Sequence, residues 1–399
     1  MVDQWIRSRR RWLGTCAGVV GATTLAGCFG SDDAETGGDD ESDDSTGGSD
    51  WPMYGVDLQN TAHHPDATGP DGNEVTERAI LDLDGYSPMT TAIVDGTVYV
   101  SSTSGKMHAV SPDSEELLWS EAGYGPPTVH DGRVYGPTDD GRIFGYDAET
   151  GDRWESQEIT SYSGIGLGRP IPIDGEILIE SRETVWKIDP DSGEYTAVID
   201  VPLRGRGSSS WPAIHDDTLY TARSSELHAV DIERRQIEWT FESPNESIIV
   251  DSNPAVAYGK VYIASHDQQL HAIDTGSGDE VWSIETEVRV ETSPVVAGEM
   301  VYLGDHGRII AVTAENGDLE WEADEEISRE PKGVTVVDDV CYVVTRGGIW
   351  AYDAGSGELD WSYEIPIESD ISFNAPPTIS EGTIYVPSSD KTLYAIEDM

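Results

Sequence analysis

The chain predicts an all-β protein: an eight-bladed β-propeller of four-stranded antiparallel blades, closed by an N-terminal strand that completes the last blade. Three observations predict it. After Trp51 the sequence repeats with a period of about forty residues. Each period holds four short runs rich in β-branched and aromatic residues, bounded by Gly, Asp or Ser. The last period lacks its fourth run, and an unclaimed run stands ahead of the first.

The clearest unit begins Asn253-Pro254-Ala255-Val256 and continues Gly259-Lys260-Val261-Tyr262-Ile263-Ala264, then Leu270-His271-Ala272-Ile273-Asp274. It turns at Gly278 and ends Val281-Trp282-Ser283-Ile284. The second-strand aromatic recurs at Tyr99, Tyr135, Tyr220, Tyr262, Tyr302, Tyr342 and Tyr385, with Leu178 in the remaining place. Such a sheet cannot bury both faces alone and must stack on its neighbours, and a ring of stacked sheets is a propeller. A parallel β-helix, the competing repeat fold, has a period shorter than about thirty residues. The last unit stops at Leu393-Tyr394-Ala395-Ile396. The run Ala79-Ile80-Leu81-Asp82-Leu83 is placed as its outer strand, since an unpaired sheet edge would otherwise remain.

Upstream of the ring, residues 1–27 read as an export signal. Ser8-Arg9-Arg10-Arg11-Trp12-Leu13 precedes an apolar, Gly/Ala-rich run too short to span a membrane. The pattern resembles the twin-arginine signal, with Arg9 and Arg10 as the pair. It ends Leu25-Ala26-Gly27-Cys28, which resembles a lipobox, so Cys28 is expected to carry lipid and anchor the mature protein to the outer face of the cell membrane. Residues 28–50 follow as an acidic linker, in which Ser31–Asp50 holds only Ser, Asp, Glu, Ala, Thr and Gly. A chain of that composition is expected to be disordered, reaching on the order of 25 Å as a relaxed coil. Calcium binding by these acids is a second reading. Residues 51–399 form the propeller.

The charge narrows the partners. With 24 Lys plus Arg against 76 Asp plus Glu the formal charge is −52, which excludes nucleic acid and anionic membrane surfaces as electrostatic partners. Spread over the whole length, the acid reads as the composition of a salt-in halophile such as a haloarchaeon rather than a patch for one cationic ligand. In molar salt the screening length falls to about 3 Å. Of three cysteines, Cys16 and Cys28 lie in the leader. Cys341 stands in the apolar run Val340–Val344, so no internal disulfide is expected in the ring.

The joint between third and fourth strands carries the most specific signal. Residues 272–282 and 351–361 both read Ala-x-Asp-x-x-x-Gly-x-x-x-Trp, and residues 311–321 keep all but the Asp, with Thr313 in its place. The Asp can cap the turn, the Gly can take a positive φ, and the Trp offers a large surface to the adjoining blade. Trp119, Trp154, Trp239, Trp282, Trp321 and Trp361 are the candidate docking residues. Glu115 and Arg235 stand at the Gly position before Trp119 and Trp239, and the unit at Asp189 and Gly193 has no Trp. The repeat resembles the tryptophan-docking, pyrroloquinoline-quinone-like repeat of quinoprotein alcohol dehydrogenases and their non-enzymatic relatives. The opening Trp51-Pro52-Met53-Tyr54-Gly55, with Asp57, Asn60 and Thr61, resembles the first segment of that superfamily.

The resemblance implies a fold and leaves the chemistry open. Quinoprotein dehydrogenases hold the quinone over the channel with adjacent cysteines, a calcium ion and an Asp base; this chain has no adjacent cysteines. Loops converging on the channel mouth supply Arg169, Trp211, Asp251, Asn253, Glu291, Arg329, Lys332 and Asn374 as a candidate ligand site, beside the plain reading of polar loop ends. His108, His228 and His271 share one third-strand position with Phe144, Ile310, Trp350 and Tyr394, which marks it as a packing site. The expected function is a non-catalytic scaffold at the cell surface, a monomeric propeller that engages a protein partner. Its architecture is similar to that of the propeller lipoprotein in bacterial outer-membrane protein assembly. The alternatives are a quinone-dependent dehydrogenase with calcium near Glu291, Asn253 or Asp251, and a sensor of a small polar ligand.

Overall fold

A computed structural model describes residues 50–399 except 86–90, 139–140, 157–167, 182–183, 200–210, 244–251, 287–289, 291, 306, 324–330 and 367–370. The leader, Cys28 and the linker up to residue 49 lie outside the described residues. The ring is an eight-bladed propeller, and among the described residues there is no helix. Blades 1 to 7 each run inner to outer in chain order, blade 5 for example through 255–257, 260–265, 269–274 and 280–285. Blade 8 takes strands 378–380, 383–387 and 392–398 from the C-terminus, and its outer strand is Val75–Asp82, antiparallel to Thr392–Asp398. The ends are stitched further where the Asp398 carboxylate accepts the N–H groups of Asp71 (2.7 Å) and Gly72 (3.1 Å). That contact stands where other blades have a continuous hairpin.

The apolar positions lie on facing sheet surfaces. Seven buried clusters each straddle a blade interface, and the largest joins blades 7, 8 and 1. A β-bulge at the repeat Ala, as between Ala272 and Ile273, sets the register that places Trp282 opposite Ala272. Four indoles pack on the glycine of the next blade: Trp119 on Gly151, Trp239 on Gly278, Trp282 on Gly317, Trp321 on Gly357. A Cβ on Gly357 would come within 2.5 Å of the Trp321 ring, and its φ of +71° independently favours glycine. The indole N–H also donates to a carbonyl of that blade, Trp239 to Thr275 (2.7 Å) and Trp321 to Ala354 (2.9 Å). Tyr302 donates to the same Ala354 carbonyl (3.1 Å). Trp361 closes the series on Gly72 of the opening region.

Two interfaces lack a docked tryptophan and carry ion pairs instead. In blade 8, Arg78 lies opposite Ala395, the register position of the tryptophan. Its guanidinium donates to the Pro112 carbonyl of blade 1 (3.0 Å) and pairs with Glu115, the residue at the glycine position, and with Glu397. Arg78 therefore takes both contacts a tryptophan would make. Between blades 3 and 4 the outer strand Tyr195–Ala197 brings no tryptophan, and the buried pair Glu180–Arg223 joins the two blades at the ends of their second strands.

The opening segment threads the ring axis. Trp51 exchanges backbone bonds with Ile93, and the carbonyls of Pro52, Leu58, Gln59, Thr61, Ala62 and Thr68 accept from Val129, Ile214, Val256, Val296, Val336 and Gly382. The Tyr54 carbonyl accepts from Arg169, so every blade is engaged. His63–His64 form a two-residue strand parallel to the inner strand of blade 7.

Candidate channel-mouth site

The axial segment is the floor of the mouth, and the turns leading into the inner strands are its walls. Arg169 is wholly buried, donating to Tyr54 O, to Asn60 Oδ1 (3.0 Å) and to Pro212 O (3.4 Å). Burial pulls its guanidinium down to about 10, which still leaves it charged near neutrality. The Asn60 amide donates in turn to the carbonyls of Trp211, Pro212 and Pro254, each at 3.1 Å. Above this layer, the Trp211 N–H donates to Asn253 Oδ1 (2.7 Å) and the Asn253 N–H to Ser293 Oγ (2.9 Å), linking blades 4, 5 and 6. Trp211 stands edge-on to Tyr54, ring centroids 4.5 Å apart.

The structure thus brings Trp211, Asn253 and Lys332 around one cavity of about 140 Å³, floored by Trp51 and Tyr54. Arg169 lies in the hydrogen-bonded layer that holds the floor. Asn374 donates to its neighbour Ser372 (3.0 Å) and is not among the cavity's described walls. Asp251, Glu291 and Arg329 lie outside the described residues. Sequence reasoning missed the floor itself, for which the Trp51–Gly55 motif was the available signal. It also missed Asp57, whose carboxylate takes the N–H (2.9 Å) and hydroxyl of Thr61.

Protein around Asp57 pushes its carboxyl up to about 6, against the lowering bonds from Thr61 and the nearby Arg169 charge, although solvent still reaches part of the residue. A carboxyl raised in the folded state makes the fold lose stability as pH climbs from about 4, the ordinary carboxylate range, through 6. Asp57→Asn is therefore expected to be more stable than the parent at pH 7.5, by about 1 kcal/mol after allowing for solvent, with the difference closing toward pH 4.5. Paired thermal melts in molar KCl check this, and a difference independent of pH would contradict it.

A cavity of about 140 Å³ is well below the 300 Å³ or so that marks the small end of drug-sized pockets. Within the ring Cys341 is the sole cysteine, fully buried, its thiol pushed far up by burial. Among the described residues no three His, Cys, Asp or Glu converge as metal ligands. Among the described residues the mouth shows neither a quinone-sized cavity nor a set of metal ligands, and Asp251 and Glu291 lie outside them. His108, His228 and His271 are 5%, 4% and 0% exposed, each inside its own blade, and burial brings His228 down to about 4.

Docked tryptophans, eight blades and an axial opening segment define a propeller of the pyrroloquinoline-quinone-like repeat class. The chain belongs to the family described as outer membrane protein assembly factor BamB, whose profile matches residues 66–251, 174–330 and 324–398. It is 25% identical to BamB of Salmonella typhimurium over 227 residues, 50% of this chain and 57% of BamB. With the serine/threonine-protein kinase AfsK of Streptomyces griseus it shares 26% identity over 206 residues, 49% of this chain and 20% of the kinase. The chain thus spans a fifth of one relative and little more than half of the other. Among solved structures, quinohemoprotein alcohol dehydrogenase from Comamonas testosteroni superposes with a TM-score of 0.65 at 15% identity, over 87% of this chain and 80% of that one, a likeness of fold.

Proposed function

We propose that the protein is a non-catalytic, protein-binding scaffold, exported by a twin-arginine signal and anchored by lipid on Cys28 at the outer face of the cell membrane of a salt-in halophile. The observation that carries the non-catalytic part is the filled axis. A segment bonded to every blade closes the axis beneath the mouth, and the mouth above it keeps about 140 Å³. Membership of the BamB family supports the scaffold, since that relative is an outer membrane protein assembly factor. The leader sequence supports the anchor.

The test is calorimetric titration of the purified protein with pyrroloquinoline quinone in molar salt, with and without calcium. No saturable heat is expected. Calcium-dependent binding at about a micromolar or tighter would replace the scaffold with the dehydrogenase reading. In the producing cells, Cys28→Ser should move the protein from the membrane to the soluble fraction; retention there would remove the anchor.

A further inference from the structure

The face opposite the mouth carries an anomaly at Tyr258. The turn between first and second strands puts a residue at φ between +47° and +54° in every blade. Blades 1 to 4 and 7 use Asp95, Asp131, Asp174, Asp216 and Asp338, blade 8 uses Glu381 and blade 6 uses Gly298. Aspartate and glycine tolerate this left-handed backbone; a bulky aromatic there is an outlier. Tyr258 is nevertheless 58% exposed, and its hydroxyl reaches across to the Gly298 carbonyl of blade 6. An exposed ring held in a strained position, where seven other blades manage without one, points to use rather than to stability.

The ring stands at a groove. A hollow of about 540 Å³ is lined by Tyr258, Lys260, Met300 and the carboxylates of Glu299, Glu315 and Glu320. A second, of about 370 Å³, lies beyond Met300 and Glu299 toward His63, Asp338 and Asp339. Each is larger than the channel-mouth cavity. Acid covers this whole chain and so does not select the place. It selects the sign of what enters, and a tyrosine face beside carboxylates suits a cation. Asp50 lies on the same face, where the Asp95 N–H in the turn of blade 1 donates to Asp50 Oδ1 (3.0 Å) and Asp50 O bonds His64 Nε2 (2.8 Å).

We propose that Tyr258 and the twin grooves beside Met300 are the docking surface for a basic segment of a protein of the same membrane, one lysine or arginine side chain lying over the tyrosine ring. This deepens the scaffold reading above and rests on it. A spacer of about 25 Å behind a lipid on Cys28 would hold the ring within reach of membrane-borne partners. In molar salt the carboxylates act only at contact distance, so the ring and Met300 supply the salt-resistant part of the affinity.

The experiment uses the full lipidated chain in its own membranes, with a photo-crosslinking benzoylphenylalanine at Glu320 in one preparation and at Lys332, in the mouth, in another. The expected result is a crosslink from Glu320 to a membrane protein at a peptide containing Lys or Arg. It should fall about tenfold in Tyr258→Asp and persist in Tyr258→Phe. Tyr258→Asp restores the residue other blades carry and should melt no lower than the parent, so the loss cannot be laid to unfolding. A crosslink indifferent to Tyr258→Asp, or to a peptide without a basic residue, overturns the proposal. Crosslinks from Lys332 alone overturn this surface and leave the scaffold standing, whereas none from either position overturns both.

Discussion

Arg223→Ala is expected to destabilise the ring by about 3–5 kcal/mol, the loss typical of stranding one charge of a buried pair. The Glu180 side chain is fully buried and that of Arg223 is 5% exposed. Glu180 Oε1 accepts from Arg223 Nε (2.7 Å), and both carboxylate oxygens accept from the Thr221 hydroxyl (2.8 and 2.9 Å). Arg223 also donates to the Ser181 carbonyl, which fixes it across the blade 3–4 interface. Without the guanidinium, the carboxylate keeps only the threonine. Burial already raises the Glu180 carboxyl in the parent, with Arg223 the chief opposing influence. A raised carboxyl holds its proton in the folded state, so folding weakens as pH rises through that range and recovers as pH falls. The variant's deficit should therefore be largest at pH 8 and shrink toward pH 5. Thermal melts across that range in molar KCl measure it. The double variant Glu180→Leu/Arg223→Met should return to within about 1–2 kcal/mol of the parent, because apolar replacements remove the desolvation cost together with the attraction. Equal melting of parent and Arg223→Ala at every pH would mean the pair holds nothing.

That pair and the Arg78 joint show where the sequence stops being legible. The docking repeat could be read because one chemical solution recurs: Asp for the turn, Gly for the positive φ, Trp for the next blade. Where the solution changes, the period carries no warning. Arg78 looks like any charged strand residue until the antiparallel register sets it opposite Ala395, in the tryptophan's place. Glu115 read as a degenerate glycine position and is its ion-pair partner. The closing strand itself was visible, since a missing fourth run and a spare run are complementary facts about one chain. The axial thread was not. It acts through backbone carbonyls, which every residue type supplies equally, and its two-residue strand at His63–His64 is too short to show alternation. Arg169 illustrates the same limit at the site. A polar loop residue has one appearance in sequence whether it meets solvent, a ligand or a layer of carbonyls.

Replacing Arg169 separates those roles. Arg169→Met is expected to lower stability by about 3 kcal/mol or more, since Tyr54 O and Asn60 Oδ1 lose their donor, and Pro212 O one of two, in a place with no exposed surface. Asp57 loses its nearby positive charge as well, so its carboxyl should move above 6 and the variant should lose more stability than the parent between pH 5 and 7. Arg169→Lys should recover only part of the loss, because an ammonium keeps the charge but lacks the planar fork that spans three acceptors. The diagnostic readout is hydrogen exchange of the amides bonded to the thread. Those of Val129, Ile214, Val256, Val296 and Val336 should all exchange faster, although they lie in five different blades. Amides pairing Val75–Asp82 with Thr392–Asp398 should change little, since that closure bears on the opposite side of the blade. A ligand-binding arginine would behave otherwise, with stability and exchange preserved and only binding lost. Unchanged protection of the five amides would show that the thread holds itself, and Arg169 would then return to the list of candidate ligand contacts at the mouth.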